Sequence, residues 1–107
     1  MSEPTIQKIE SEIKSNKVVV FMKGTPDAPQ CGFSAAVCQI LKAFPYPFKG
    51  VDVISNPDIR ATLPNYSEWP TFPQIFIDGK LVGGCDILHE LNDSGELKGL
   101  LEKAFKK

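Results

Sequence analysis

The stretch Cys31-Gly32-Phe33-Ser34 places a cysteine just after a turn-rich segment and just before a helical pattern. The first turn of a helix presents unpaired N–H groups and a positive dipole end, and both favour a thiolate over a thiol. Lys23 stands at the end of an apolar run and adds a nearby cation, while Gly32 keeps the approach to the sulfur open. Cys31 is therefore the candidate nucleophile or metal ligand. Ser34 holds the position, one helical turn later, where the second thiol of a Cys-x-x-Cys motif would stand. A serine cannot expel a mixed disulfide by internal attack, so an outside thiol must release anything bound to Cys31. Ser34 equally suits a first-turn hydroxyl that satisfies a backbone N–H.

Two further stretches could complete a binding site. In Trp69-Pro70-Thr71-Phe72-Pro73-Gln74, Pro73 precedes a strand pattern, where a turn and a cis bond are both consistent with the residues. A cis bond would leave the N–H and C=O of Phe72 free to pair with an extended peptide. In Gly83-Gly84-Cys85-Asp86, the glycines allow a ligand near the backbone of a helix N-terminus suited to a carboxylate. Asp86 could accept from an amine. Taken alone, that stretch reads as well as a glycine bend followed by an acidic first-turn residue, and Arg60 as a solvated charge. Together with Lys23, these features suit a small zwitterionic peptide carrying a thiol, and glutathione has those groups.

The elements that must position these residues follow from periodicity. Ile6, Ile9 and Ile13 predict a helix over 4–15, and Val18 to Met22 is an apolar, β-branched run suited to a strand buried on both faces. Lys23 to Pro29 reads as loop. Val37, Ile40, Leu41 and Phe44 give a helix from about Gly32, ended by Pro45 and Pro47. Phe48 to Val53 forms the next strand. Asn56-Pro57-Asp58 is a helix start with Asn56 as the capping side chain, and Pro64 interrupts or restarts that helix. Gln74 to Asp78 and Lys80 to Val82 flank an Asp78-Gly79 hairpin turn. A short helix starts near Cys85 and breaks at Asn92 to Gly95; a last one uses Leu97, Leu100, Leu101, Ala104 and Phe105. The β-α-β crossover requires a parallel pair and the hairpin adds an antiparallel one. The expected fold is α/β and thioredoxin-like: a four-stranded mixed sheet flanked by helices, with residues 1–107 as a single domain.

Bulk properties restrict the partners. The chain has 107 residues, 42% hydrophobic and 23% charged, with a formal net charge of -1 and scattered Lys and Arg. This argues against nucleic acid and anionic membrane surfaces as main partners. The longest apolar run is too short to span a bilayer. The N-terminus resembles neither a signal peptide nor a transit segment, which gives a cytoplasmic expectation; an organellar form with its presequence removed fits the same start. Three cysteines do not form a secreted disulfide framework. With His89 distant, they also make a poor tetrahedral zinc set. Cys38, among Val37 and Leu41, reads as core, and His89 as a surface or half-buried residue.

Lys23-Gly24-Thr25-Pro26, Pro29-x-Cys31-Gly32-Phe33-Ser34, Trp69 to Gln74 and Gly83 to Asp86 resemble the monothiol glutaredoxins of the CGFS type. The resemblance runs over essentially the whole chain as a single-domain member. It implies a glutaredoxin fold that binds glutathione. Lys23 and Arg60 would contact glutathione carboxylates. Phe72, before a cis Pro73, would pair through its backbone with the cysteinyl unit, and Cys85 and Asp86 would hold the γ-glutamyl end. Cys31 would be the metal ligand of a 2Fe-2S cluster shared by a homodimer, completed by the thiols of two glutathiones. Four thiolates are what such a cluster usually takes, and the chain has no cysteine quartet of its own.

Two functions follow. The first is a cluster carrier in iron-sulfur assembly and transfer, with BolA-type proteins and iron-sulfur acceptor proteins as partners. The alternative is a glutathione-dependent thiol-disulfide oxidoreductase that removes glutathione from proteins, with at most weak activity. A variant of the alternative pairs Cys31 with Cys85.

Overall fold

The structure, a computed structural model, describes residues 3–106. Met1 and Ser2, part of the start on which the cytoplasmic expectation rests, lie outside the described residues, as does Lys107 at the end of the expected domain. In chain order the elements are α1 (Glu3–Ser15), β1 (Val18–Met22), β2 (Gly24–Thr25), β3 (Ala28–Pro29), α2 (Gly32–Lys42), β4 (Lys49–Asp52), α3 (Pro57–Ser67), β5 (Gln74–Ile77), β6 (Lys80–Gly83), α4 (Cys85–Ser94) and α5 (Glu96–Phe105).

Every residue of β1 is buried because this strand lies inside the sheet and is covered on both faces. The sheet order is β4-β1-β5-β6. β1 runs parallel to β4, with Val20 opposite Gly50, and antiparallel to β5, with Val20 opposite Ile75. Side chains alternate across a strand, so Val18, Val20 and Met22 enter one core with Val37, Cys38 and Leu41 of α2, Leu88 of α4 and Leu97 and Leu101 of α5. Val19 and Phe21 enter the other, with Ile9 and Ile13 of α1 and Ile59 and Leu63 of α3. Phe21 meets Phe76 edge to face, with centroids 5.6 Å apart. The mixed four-stranded sheet flanked by helices is thus present.

Some local expectations are corrected. The segment read as loop carries a small hairpin, β2 paired with β3, in which Thr25 Oγ1 accepts from the Ala28 N–H at 3.1 Å. Two-residue strands leave no periodicity to read. The second strand is shorter than expected, Lys49–Asp52. α2 ends at Lys42, where Ala43 and Phe44 N–H groups tighten onto Ile40 and Leu41 carbonyls. Asn56 does not cap α3 with its side chain; its Nδ2 donates instead to the Asp52 carbonyl at 2.8 Å, which a strand end leaves open. Pro64 neither interrupts nor restarts α3. The helix runs through it, held from beneath by Ile59, Thr62 and Leu63. Helix α4 continues through Asn92 to Ser94 and stops at Gly95, whose φ is 85°. Leu100 points outward, while Leu97, Leu101 and Ala104 face the core. Asp78 and Gly79 both have positive φ, as the primed hairpin turn requires.

Candidate functional site

At the end of β1 the chain must turn sharply to reach α2, and Lys23 sits on that turn. Its N–H donates to Ser34 Oγ at 3.2 Å, its carbonyl accepts from the Gln30 N–H at 2.9 Å, and the next N–H, of Gly24, donates to Asp52 Oδ1 at 2.9 Å. Gly24 has a φ of 89°, and a Cβ there would lie 2.6 Å from both Ala28 O and Gln30 N, so only glycine fits. The hairpin is further tied to α2 through Lys42, whose Nζ donates to Pro26 O at 2.8 Å.

Cys31 occupies the N-cap position of α2 with extended backbone, and its carbonyl accepts the Ala35 N–H at 2.9 Å. Its thiol is held below the ordinary value. The Ser34 backbone N–H is the largest cause; burial opposes it, and the Phe33 N–H, the Ser34 hydroxyl and the Lys23 charge add to the lowering. Of the roles read from the sequence for Ser34, the structure bears out the hydroxyl that satisfies a backbone N–H, here that of Lys23. The Ser34 hydroxyl is fully buried, satisfies the Lys23 N–H and lowers the Cys31 pKa.

The Phe72–Pro73 peptide is cis, which decides between the two possibilities left by the sequence. Among the described residues no hydrogen bond occupies the Phe72 N–H or C=O. This segment is shaped from beneath by Gln74, a fully buried side chain whose Nε2 donates to Trp69 O at 2.9 Å and Thr71 O at 3.3 Å. On the facing side, Gly84 caps α4, and a Cβ there would come within 3.3 Å of both Pro73 O and Trp69 Nε1. The absent side chain lets the start of α4 close against the Trp69–Pro73 segment.

The result is a cleft of about 780 Å³ that brings together Lys23, Cys31, Arg60, Phe72, Pro73, Cys85 and Asp86. That volume lies in the range of small-ligand sites. All seven site residues expected from the sequence line it, although they come from the β1 turn, α2, α3, the β5 approach and α4. Cys85 differs from Cys31 in its chemistry: burial first, then the Asp86 and Cys31 charges, push its thiol up. The cleft therefore holds one thiolate-prone and one thiol-prone cysteine.

Cys38 lies in the core, with Sγ 3.6 Å from Met22 Sδ, and His89 is exposed. The sequence reading missed Phe33, which is 63% exposed beside Cys31, and Pro64, which lines the cleft wall. It also missed Asp52 and Gln74, whose contacts shape the site from outside the cleft. Asp52 carried one readable signal: an acid at a strand end with a serine three residues on, the pattern of a side-chain-closed turn.

The fold and the site define a thiol-chemistry protein of the thioredoxin-like class, with one cysteine of lowered pKa at a helix N-terminus in a cleft shared with a cis-proline segment. The family profile described as Glutaredoxin matches residues 18–82. Glutaredoxin 4 of Buchnera aphidicola subsp. Acyrthosiphon pisum is 52% identical over 101 residues, covering 94% of each chain. The solution structure of reduced poplar apo GrxS14 is 50% identical with a TM-score of 0.84, covering 95% of this chain and 94% of that one. The buckwheat glutaredoxin–glutathione complex is 26% identical with a TM-score of 0.84, covering 97% and 96%. The chain belongs to the glutaredoxin family, and Ser34 in place of a second motif cysteine makes it a monothiol member.

Proposed function

We propose that this chain binds glutathione in the Cys31 cleft and, with it, carries a 2Fe-2S cluster as cargo for iron-sulfur assembly and transfer. The observation that carries this reading is a single thiolate-prone cysteine beside a cleft bearing two cations, an unpaired backbone segment and an acid. Lys23 and Arg60 would contact glutathione carboxylates, and the Phe72 N–H and C=O would pair with the cysteinyl unit. The first N–H groups of α4, at Cys85 and Asp86, would meet the γ-glutamyl carboxylate, with the Asp86 side chain on its amine. The buckwheat glutaredoxin of the same fold is found with glutathione.

The donor set fits the cargo. Among the described residues no group of three or more His, Cys, Asp or Glu side chains could hold a metal ion, and the resemblance to CGFS-type glutaredoxins makes Cys31 this chain's ligand. Cys31 and a glutathione thiol from each of two protomers would supply four thiolates, which makes the cluster-loaded form a homodimer. The partners in this role are BolA-type proteins and acceptor apoproteins, and the place of action is the cytoplasm. Mixing loaded protein with a BolA-type protein should change the visible spectrum; an unchanged spectrum and no co-elution would remove that partner.

Anaerobic reconstitution with and without glutathione, followed by absorption spectroscopy and sizing, tests the main reading. A glutathione-dependent visible chromophore eluting as a dimer and lost in Cys31→Ser is the expected result. A colourless monomer under both conditions would overturn it.

The lowered Cys31 thiol also favours a second reading, glutathione-dependent deglutathionylation. The Cys31 thiolate would attack the glutathione sulfur of a protein mixed disulfide, forming a Cys31–glutathione disulfide and releasing the protein thiolate. A second glutathione thiolate would then attack, leaving oxidised glutathione and the Cys31 thiolate. Turnover of a glutathionylated peptide that is absent, or unchanged in Cys31→Ser, would exclude it. Since Cys85 shares the cleft, peptide mass spectrometry of oxidised protein would show whether a Cys31–Cys85 disulfide forms.

A further inference from the structure

We propose that Asp52, at the end of β4, is the positioning residue that aims Lys23 into the cleft; this rests on the glutathione reading above. Asp52 does not line the cleft. Its Oδ1 accepts the Gly24 N–H at 2.9 Å and the Ile54 N–H at 2.9 Å, and its Oδ2 accepts the Ser55 hydroxyl at 2.7 Å. Its own carbonyl accepts from Asn56 Nδ2 at 2.8 Å, so its backbone is held as well. Among the described residues it enters no salt bridge. A carboxylate spent on three neutral donors acts as a backbone clamp, with no cation to balance.

The clamp falls on the peptide that links Lys23 to Gly24. The Lys23 N–H is already tied to Ser34 and its carbonyl to Gln30. The Asp52 bond fixes the remaining donor of the turn and thus the plane of the 23–24 peptide. A Cβ at Gly24 would lie 2.6 Å from Ala28 O and Gln30 N, so the clamped peptide packs closely against the hairpin. With the Lys23 N–H held on one side and the 23–24 peptide on the other, the Cα–Cβ bond of Lys23 is fixed in direction. Asp52 lies outside the cleft and touches the site only at Gly24, so its effect on binding would pass through the turn that carries Lys23.

Calorimetry of glutathione binding to the full chain and its Asp52 variants tests this. Asp52→Asn keeps an Oδ1 acceptor for both N–H groups and should bind within about twofold of wild type, whereas Asp52→Glu keeps the charge but moves the oxygen. Asp52→Glu and Asp52→Ala should each weaken binding about fivefold or more, the range of one lost charge-assisted contact. In a Lys23→Ala background Asp52→Ala should add no further loss, while in an Asp86→Ala background its full loss should persist. Where Asp52→Ala does not fold, Asp52→Glu takes its place in both comparisons. Equal losses in the two backgrounds would make Asp52 merely structural and overturn the proposal. So would retained binding in Asp52→Glu with loss in Asp52→Asn. Wild-type binding with Asp52→Ala unaffected would overturn this proposal alone; no wild-type binding would overturn the glutathione reading and this proposal with it.

Discussion

At the scale of the residue, the site turns on what lowers the pKa of one sulfur. The Ser34 N–H contributes most to that, and it survives any substitution of the Ser34 side chain other than proline. Ser34→Ala removes only the hydroxyl, so the Cys31 midpoint should rise in part and the thiolate fraction at neutral pH should fall. Thiolate absorbance followed against pH checks this, and a downward shift would contradict it. The same change leaves the half-buried Lys23 N–H without its acceptor, at a cost of about 1 kcal/mol in denaturant unfolding. The three thiols should also separate by pH. Cys31, lowered, becomes reactive first as pH rises; Cys85 and Cys38, both raised by burial, follow at higher pH. Timed alkylation with peptide mapping across the alkaline range should show that order, and early labelling of Cys85 would break it. Cys31 was legible in the sequence because its activating groups are its own helix turn. The bond from Gly24 to Asp52 was not, since it spans 28 positions of chain.

At the scale of the element, the hairpin of β2 and β3 is the part the sequence concealed, yet it sets the turn that carries Lys23. Gly24→Ala places a methyl group against backbone atoms that cannot swing aside, at a φ of 89°. It should cost about 2–4 kcal/mol of stability and weaken glutathione binding as well. Gly32→Ala is the control: nothing lies within 4 Å of its Cβ site, and α2 is already helical there. Stability should stay within about 1 kcal/mol of wild type or rise slightly. Urea unfolding of the two variants compares them directly, and equal losses would show that the hairpin is not rigid. Helix periodicity identified α2 and α5 because their buried stripes are long, but it misplaced Leu100, which sits beside the stripe rather than in it. Pro64 misled for a related reason. Its effect on α3 depends on what the helix rests upon, and a linear reading does not contain that.

At the scale of the whole molecule, both cores share β1. Val18, Val20 and Met22 serve one and Val19 and Phe21 the other, so neither layer can come apart without the strand between them. Unfolding should therefore be a single cooperative transition, with far-UV and near-UV circular dichroism coinciding in denaturant. Phe21→Ala empties a fully buried site that also packs edge-on against Phe76, and should cost about 3–5 kcal/mol. Two separated transitions in that variant would show that the layers are independent. The topology was legible from the order of apolar runs and the Asp78-Gly79 turn, because a β-α-β crossover and a tight hairpin leave few arrangements open. What brought seven scattered residues to one cleft was not written in any one segment, since it depends on strand order and on how closely Gly84 admits α4 to the Trp69–Pro73 segment.

The close approach of α4 at Gly84 also encloses the chain's single tryptophan. Trp69 lines the cleft, and its indole N–H is shut away from water without a hydrogen-bond partner. The protein thus contains one indole emitter, built into the wall of the very space a ligand would fill. Its fluorescence reports on that space without a label, a competing indole or any alteration of the residues that do the binding.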